Sequence, residues 1–203
     1  IYQYVVAGEG KDNMELRTIQ DWLIKPRLLT TPGVIEVNSF GGFVKQYQVQ
    51  VDPKKLITYG ITLRQVFEAL AANNANAGGQ YIEHASEQYL IRGIGLINSI
   101  DDIENIVVHA TEEGTPIYTK NLADVVVGPE VRYGAVTKDG KGEVVVGIAM
   151  MLKGENSRTV VERVKQKVEE IRQNLPKGVD IIPFYDRAGL VNDVIHTVIS
   201  NVI

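Results

Sequence analysis

A cassette of strand, helix, Pro/Gly/Val turn and strand occurs twice in this chain, with a long unrelated stretch between the copies. That spacing restricts the fold more than any single motif. The first copy has a strand at residues 1–6, a helix over 14–30, the turn Pro32-Gly33-Val34 and a second strand over 34–40. The second has a strand over 143–152, a helix over 158–174, the turn Pro176-Lys177-Gly178-Val179 and a strand over 180–185. Two βαβ halves of this kind build a ferredoxin-like split sandwich, with antiparallel strands carrying two helices on one face. The expected class is therefore α+β, with a split βαβ subdomain interrupted by a smaller mixed α/β one.

The helices carry their own signatures. Val161, Val164, Val168, Ile171 and Leu175 recur at three and four residues, which is one stripe of a helix, while charged side chains cover the rest. Asn156 or Ser157 supplies the N-cap oxygen, and Gly178 after Pro176 suits the exit. In the first helix Leu16, Ile19 and Leu23 share a face. Pro26 removes an internal amide donor, so irregular helix is expected after Lys25.

The insert is expected to open at Asp52-Pro53, after an alternating strand over 45–51, and to close near residue 134. Within it, Thr62 caps a helix over 63–73 whose Val66, Phe67 and Leu70 look inward. Residues 73–79, rich in Asn, Ala and Gly, then 80–86 and a strand over 89–92 form a protruding loop or ribbon, because small polar residues do not fill a core. Short strands at 105–109, 116–118 and 124–127 complete the insert, with a helical turn at 100–103.

A net charge of −4 with both signs interspersed offers no basic footprint for phosphates, so nucleic acid is excluded as a partner. With no cysteine, disulfides and thiolate metal sites are ruled out. No basic segment followed by an apolar core opens the chain, so no signal peptide is expected. With Ile1 in place of Met, the chain is expected to be a piece of something longer. From 188 to 203 runs an apolar helix without a stop signal. Its length of about 24 Å falls short of the ~30 Å hydrocarbon core, so it does not span a membrane as given.

Few residues carry chemistry. His84 beside Glu83 is a weak zinc-type pair that needs further ligands, while His109 and His196 have no partner near them in sequence. Met150 and Met151 offer thioethers suited to Cu(I), but adjacent strand residues point to opposite faces, so core packing of one is the better reading. Asp186 in Tyr185-Asp186-Arg187 is an N-cap, or else part of a coupling joint at a membrane surface. Gly78-Gly79 lacks the Lys-Ser/Thr of a phosphate loop and is expected to permit positive φ in a turn. Asp101-Asp102 marks a turn or helix start. No nucleophile stands at a telling distance from a base, so no enzyme activity is expected.

Five segments taken in order carry a family likeness: LRTIQDWLIKPRLLTTPGVIEVNSFGG (16–42), YQVQVDPKKLITYGITLRQV (47–66), NNANAGG (73–79), LADVVVGP (122–129) and LPKGVDIIPFYDR (175–187). With them the chain resembles, over essentially its whole length, the porter region of the resistance-nodulation-division (RND) exporters, specifically their heavy-metal-efflux branch of the CzcA/CusA type. The resemblance implies residues 1–51 and 135–186 as the halves of one porter subdomain, 52–134 as a docking subdomain, and 187–203 as the start of a truncated transmembrane helix.

It further implies a proton-driven antiporter on the periplasmic face of the Gram-negative inner membrane. Such a pump is a homotrimer joined to a periplasmic adaptor and an outer-membrane channel, and it expels a metal cation. A ribbon containing Gly78, Gly79, Gln80, Tyr81, Ile82, Glu83 and His84 would contact the neighbouring protomer. No cofactor is implied for this piece, whose cargo and proton relay belong to the longer protein. A drug- or lipid-exporting pump and a free-standing ferredoxin-like ligand-binding domain are the alternative readings.

Overall fold

The computed structural model describes residues 2–84 and 87–202, and for residues 190–193, 195, 196 and 202 the backbone alone. The chain opens with β1 (Tyr2–Gly8), α1 (Asn13–Ile19), a π-helical segment over Gln20–Ile24, α2 (Lys25–Leu29) and β2 (Val34–Phe40). There follow β3 (Lys45–Val51), α3 (Pro53–Tyr59), α4 (Leu63–Ala72), β4 (Ala77–His84) and β5 (Glu87–Gly93). Then come α5 (Ile100–Glu104), β6 (Val107–Ala110), β7 (Pro116–Tyr118), α6 (Thr119–Leu122) and β8 (Ala123–Pro129). The last elements are β9 (Val145–Met151), α7 (Ser157–Arg172), β10 (Val179–Asp186) and α8 (Arg187–Val202).

Two compact units result, residues 1–45 with 129–203, and residues 46–128. The sequence pattern sets the break at 52 and the return near 134, and contacts move both earlier. Ladder bonding explains the shift: β3 pairs with β8, which ties it to the insert, while the Glu130 amide donates to the Val44 carbonyl (2.8 Å) within the first unit.

In the first unit the two chain portions share one antiparallel sheet of order β10-β1-β9-β2. Alternation sends Tyr2, Tyr4, Val6, Val37, Val145, Ala149, Val179 and Ile181 to one face, where they meet the helices. From α7 come Val160, Val161, Val164, Val168 and Ile171, all buried, with Leu175 half-buried beyond them. Each such side chain contributes about 1.5–3 kcal/mol over an exposed one. Asn156 rather than Ser157 is the N-cap, its Oδ1 accepting from the Arg158 and Thr159 amides.

The first helix departs from the sequence pattern at an instructive place. Irregularity falls before Pro26, not after Lys25: the Lys25 amide donates to the Gln20 carbonyl, five residues back, and regular α-helix resumes through Leu29. Pro26 has no amide for the Trp22 carbonyl, and its ring would press on that carbonyl, so the helix widens by one residue to clear it. The widened turn holds Gln20 fully buried. Its Oε1 accepts from the Tyr4 hydroxyl (3.1 Å) and its Nε2 donates to Ser39 Oγ (3.2 Å). Burial pushes the Tyr4 phenol pKa far up, so it stays a donor at any physiological pH.

The second unit has a small core of Ile61, Val66, Ile117 and Leu122, with Val51, Leu56, Leu70 and Val108 against it. Asp52 caps α3 ahead of Pro53, and Thr62 with Gln65 and Ser99 with Asp102 form capping boxes on α4 and α5. Asp101-Asp102 is thus a helix start, and the hydrogen bonds from Asn98 and Ser99 hold the Asp102 pKa down. Phe67 departs from expectation: it is 71% exposed, because this core is filled by Val66 and Leu70 alone from that stretch of α4. The strand expected over 105–109 starts two residues later, since Asn105 caps α5 and Ile106 turns inward.

Candidate functional site

Strands β4 and β5 form a hairpin in which every described residue is exposed. Directly opposed residues share a face and successive ones alternate. Tyr81 opposite Leu90 therefore gives one face an apolar pair, and Ile82 opposite Tyr89 gives the other face a second. A two-stranded hairpin wet on both sides is marginal by itself. The sequence places a ribbon here, of which Ala85 and Ser86 lie outside the described residues.

Gly78 and Gly79 do not take positive φ, contrary to the turn expectation. They lie in β4, at a register irregularity between Gly78 and Tyr81. A Cβ on Gly79 would stand 2.6 Å from the Ile91 carbonyl oxygen and 2.8 Å from Ile91 Cβ. Close cross-strand approach, not a left-handed turn, is what excludes a side chain there. Gly79 and Gln80 are the two residues without a register partner between Gly78 and Tyr81.

Glu83 faces Gln88, whose Nε2 donates to Glu83 Oε1 (3.3 Å), and His84 faces Glu87. Neighbours on a strand point to opposite faces, so the ribbon does not turn Glu83 and His84 toward one ion. Among the described residues no three His, Cys, Asp or Glu side chains gather. The Tyr89 hydroxyl donates to Glu87 Oε2 (2.6 Å), and that bond raises the phenol pKa. His109 is exposed on β6, opposite Ile117. The His196 side chain lies outside the described residues. Met151 packs on the first unit's core, while Met150 pairs with Glu36 on the other side of the sheet, so the two thioethers part as strand geometry requires.

That other side is a second feature, and sequence reading missed it. Phe40, Val146, Val5 and Ile182 stand in one row across all four strands, on the face away from the helices. Phe40 and Ile182 at the ends of the row are 46% and 45% exposed, while Val5 and Val146 between them are buried. The signal was present in the unbroken apolar run 144–152: a strand covered on one face alternates, whereas one apolar on both faces does not.

The third feature is the junction of β10 and α8. Asp186 Oδ1 accepts from the Ala188 amide (2.8 Å), and Oδ2 forms an ion pair with Lys165 Nζ (2.5 Å). Burial raises the Asp186 pKa, but the Lys165 ammonium and the Ala188 and Gly189 amides outweigh it and hold the carboxyl below its usual range. A carboxyl depressed on folding contributes stability above its unfolded pKa, and loses it as pH falls through the folded value. Asp186→Asn should therefore weaken the chain slightly at neutral pH, by about 1 kcal/mol or less, and the gap to the parent should narrow as pH falls below the ordinary carboxylate pKa of about 3.9. Urea midpoints at pH 7 and pH 3 check this, and a gap equal at both values would refute it.

A model of the AcrB/AcrD/AcrF family matches residues 1–203. The chain belongs to the AcrB/AcrD/AcrF family. Within this family it is 51% identical to Protein HelA of Legionella pneumophila over 93% of the chain, and 48% identical to the cobalt-zinc-cadmium resistance protein CzcA of Cupriavidus metallidurans over 97%. It is 44% identical to the cation efflux system protein CusA of Escherichia coli K12 over 95%. The chain spans 18% of the length of each of these relatives. An X-ray structure of a heavy metal efflux pump superposes with a TM-score of 0.86 at 37% identity, over 98% of this chain and 20% of the other. The chain is thus a CzcA/CusA-type RND fragment. Among the described residues no helix of this family member is long and apolar enough to cross a membrane.

Proposed function

We propose that this chain is the part of a proton-driven heavy-metal exporter that forms a wall of its substrate cleft and a sector of its docking collar. The observation carrying the reading is the near-complete match to relatives named for cation efflux and metal resistance, at 43–48% identity over 95–100% of the chain. The first unit is the porter subdomain. Its strand order is that of the ferredoxin-like split sandwich, with β10 and β9 flanking β1, and it would rock as a rigid body between inward- and outward-open states. The apolar row on its uncovered face is the cleft wall. The second unit is the docking subdomain, and its ribbon reaches into the neighbouring protomer of a homotrimer.

This reading sets the chain on the periplasmic face of the inner membrane, with α8 leading into a spanning helix. A periplasmic adaptor and an outer-membrane channel complete the pump. The chain carries out no catalysis and holds no resident cofactor, and the rest of the polypeptide supplies the proton-carrying carboxylates.

Complementation tests the function. The full-length gene in a host stripped of its metal exporters should restore growth on at least one of zinc, copper, cobalt or cadmium. Restored tolerance to drugs without tolerance to any metal would transfer the cargo to the drug-exporting alternative. Deleting residues 76–86 tests the ribbon: the remaining protein is expected to fold with an unchanged melting profile while its trimer dissociates in native mass spectrometry. An intact trimer would refute the arm.

A further inference from the structure

Strand β10 is an edge strand, yet it is fastened to α7 near both of its ends. At its start, Arg172 Nη2 donates to the Ile181 carbonyl, and Nε lies 2.8 Å from Asp180 Oδ1 as an ionic contact outside hydrogen-bond alignment. At its end, Lys165 reaches Asp186. These two α7 residues are about two helical turns apart, so the clamps bracket the strand. Two residues past Asp186, Ala188 is fully buried in the core of the sheet and helices. Asp186 therefore joins three elements through one carboxylate: it ends β10, caps α8 and holds α7.

We infer that the Lys165–Asp186 pair is a latch that makes α8 and the sandwich a single rigid body, so that a displacement of α8 reaches α7 and the sheet instead of being absorbed by bending at the junction. This deepens the exporter reading and rests on it for the displacement. A pair with side chains 42% and 25% exposed contributes little to global stability. Its effect is on geometry. With the ammonium removed, Asp186 keeps only its backbone partners in α8, and the part of the helix beyond the buried Ala188 is tied less tightly to α7. Lys165 and Asp186 are positioning residues.

The test uses the full-length transporter with spin labels at Glu162→Cys on α7 and Ser200→Cys on α8, in a background without other cysteines. Lys165→Met removes the charge and leaves the cap; Asp186→Asn keeps a capping oxygen and loses the ion pair. Each should broaden the α7–α8 distance distribution about twofold and cut metal transport about tenfold, with the trimer intact, while Lys165→Arg stays at parental values. A purely structural role would lower the melting temperature without widening the distribution. Either readout at its parental value in both variants overturns the latch. A parent protein that moves no metal would remove the exporter reading, and the distances alone would then decide whether the junction is rigid.

Discussion

Val168→Asp should leave the first unit unfolded at 25 °C. Val168 is 1% exposed in the middle of the α7 stripe, among Val164, Ile171 and the inward residues of the sheet. Its replacement loses a buried side chain and places a carboxylate in a cluster that, among the described residues, is apolar. Burying that charge without a partner costs on the order of 3–5 kcal/mol, beyond the ~2 kcal/mol of lost burial. A domain of this size has about 5–15 kcal/mol in total, and a loss of about 5–7 kcal/mol unfolds one in the lower part of that range. Circular dichroism and a urea titration check the result. A midpoint within about 0.5 M of the parent would mean that α7 does not bury this face. Glu162→Ala, on the exposed side of the same helix, is the control and should change little.

Gly147→Ala is the second large effect, and it follows from a contact rather than from hydrophobic burial. Gly147 sits in β9 opposite Tyr4 of β1, and a methyl group there would meet Tyr4 Cζ at 2.1 Å and its hydroxyl oxygen at 2.3 Å. The ring cannot swing aside cheaply, because it is fully buried and its hydroxyl is held by Gln20 in the widened turn. Overpacking of this kind costs about 1–3 kcal/mol, and a further 1–3 kcal/mol is lost if the buried Gln20 amide loses its partner. Thermal melts of Gly147→Ala, Tyr4→Leu and the double variant decide the mechanism. The double variant should be more stable than additivity predicts, because removing the ring makes room for the methyl group. Strict additivity would show that the two residues do not compete for that space.

Much of the fold was legible because its signals are short-ranged. The α7 stripe, the caps at Asn156 and Thr62, and the strand over 116–118 each depend on residues within a turn or two of one another, whereas α3 and its Asp52 cap were not foreseen. The interrupted arrangement was legible from the duplicated cassette, and the ribbon from its composition. The misses share one cause. Pro26 announced an irregularity, but local pattern did not say whether the helix ends after it or widens before it, and the widened turn is the one in which Gln20 meets Tyr4 and Ser39. Phe67 has the same helical spacing as an inward residue, and only the small size of the second core leaves it outside. Gly79 looked like a turn glycine until the opposing Ile91 was in place.

The candidate sites divide in the same way. That the ribbon would protrude follows from residues 73–79. That it carries an apolar pair on each face follows from the register joining Tyr81 to Leu90 and Ile82 to Tyr89. The cap at Asp186 could be read from its place before an apolar helix. Its bond to Lys165 could not, since no local pattern links a helix residue to a strand end beyond an intervening turn.

By itself, then, the sequence determined the family, the duplicated halves, the helix stripes and caps, and the exposed arm, all of which arise from periodicity and from hydrogen bonds between near neighbours. Only the tertiary structure decided where the two units divide, which sheet face stays uncovered, how the first helix passes Pro26, and that one carboxylate ties β10, α7 and α8 together. The physical reason is that pairing between distant segments selects among local options of nearly equal energy, and no residue carries a record of a partner it meets only after the chain has folded.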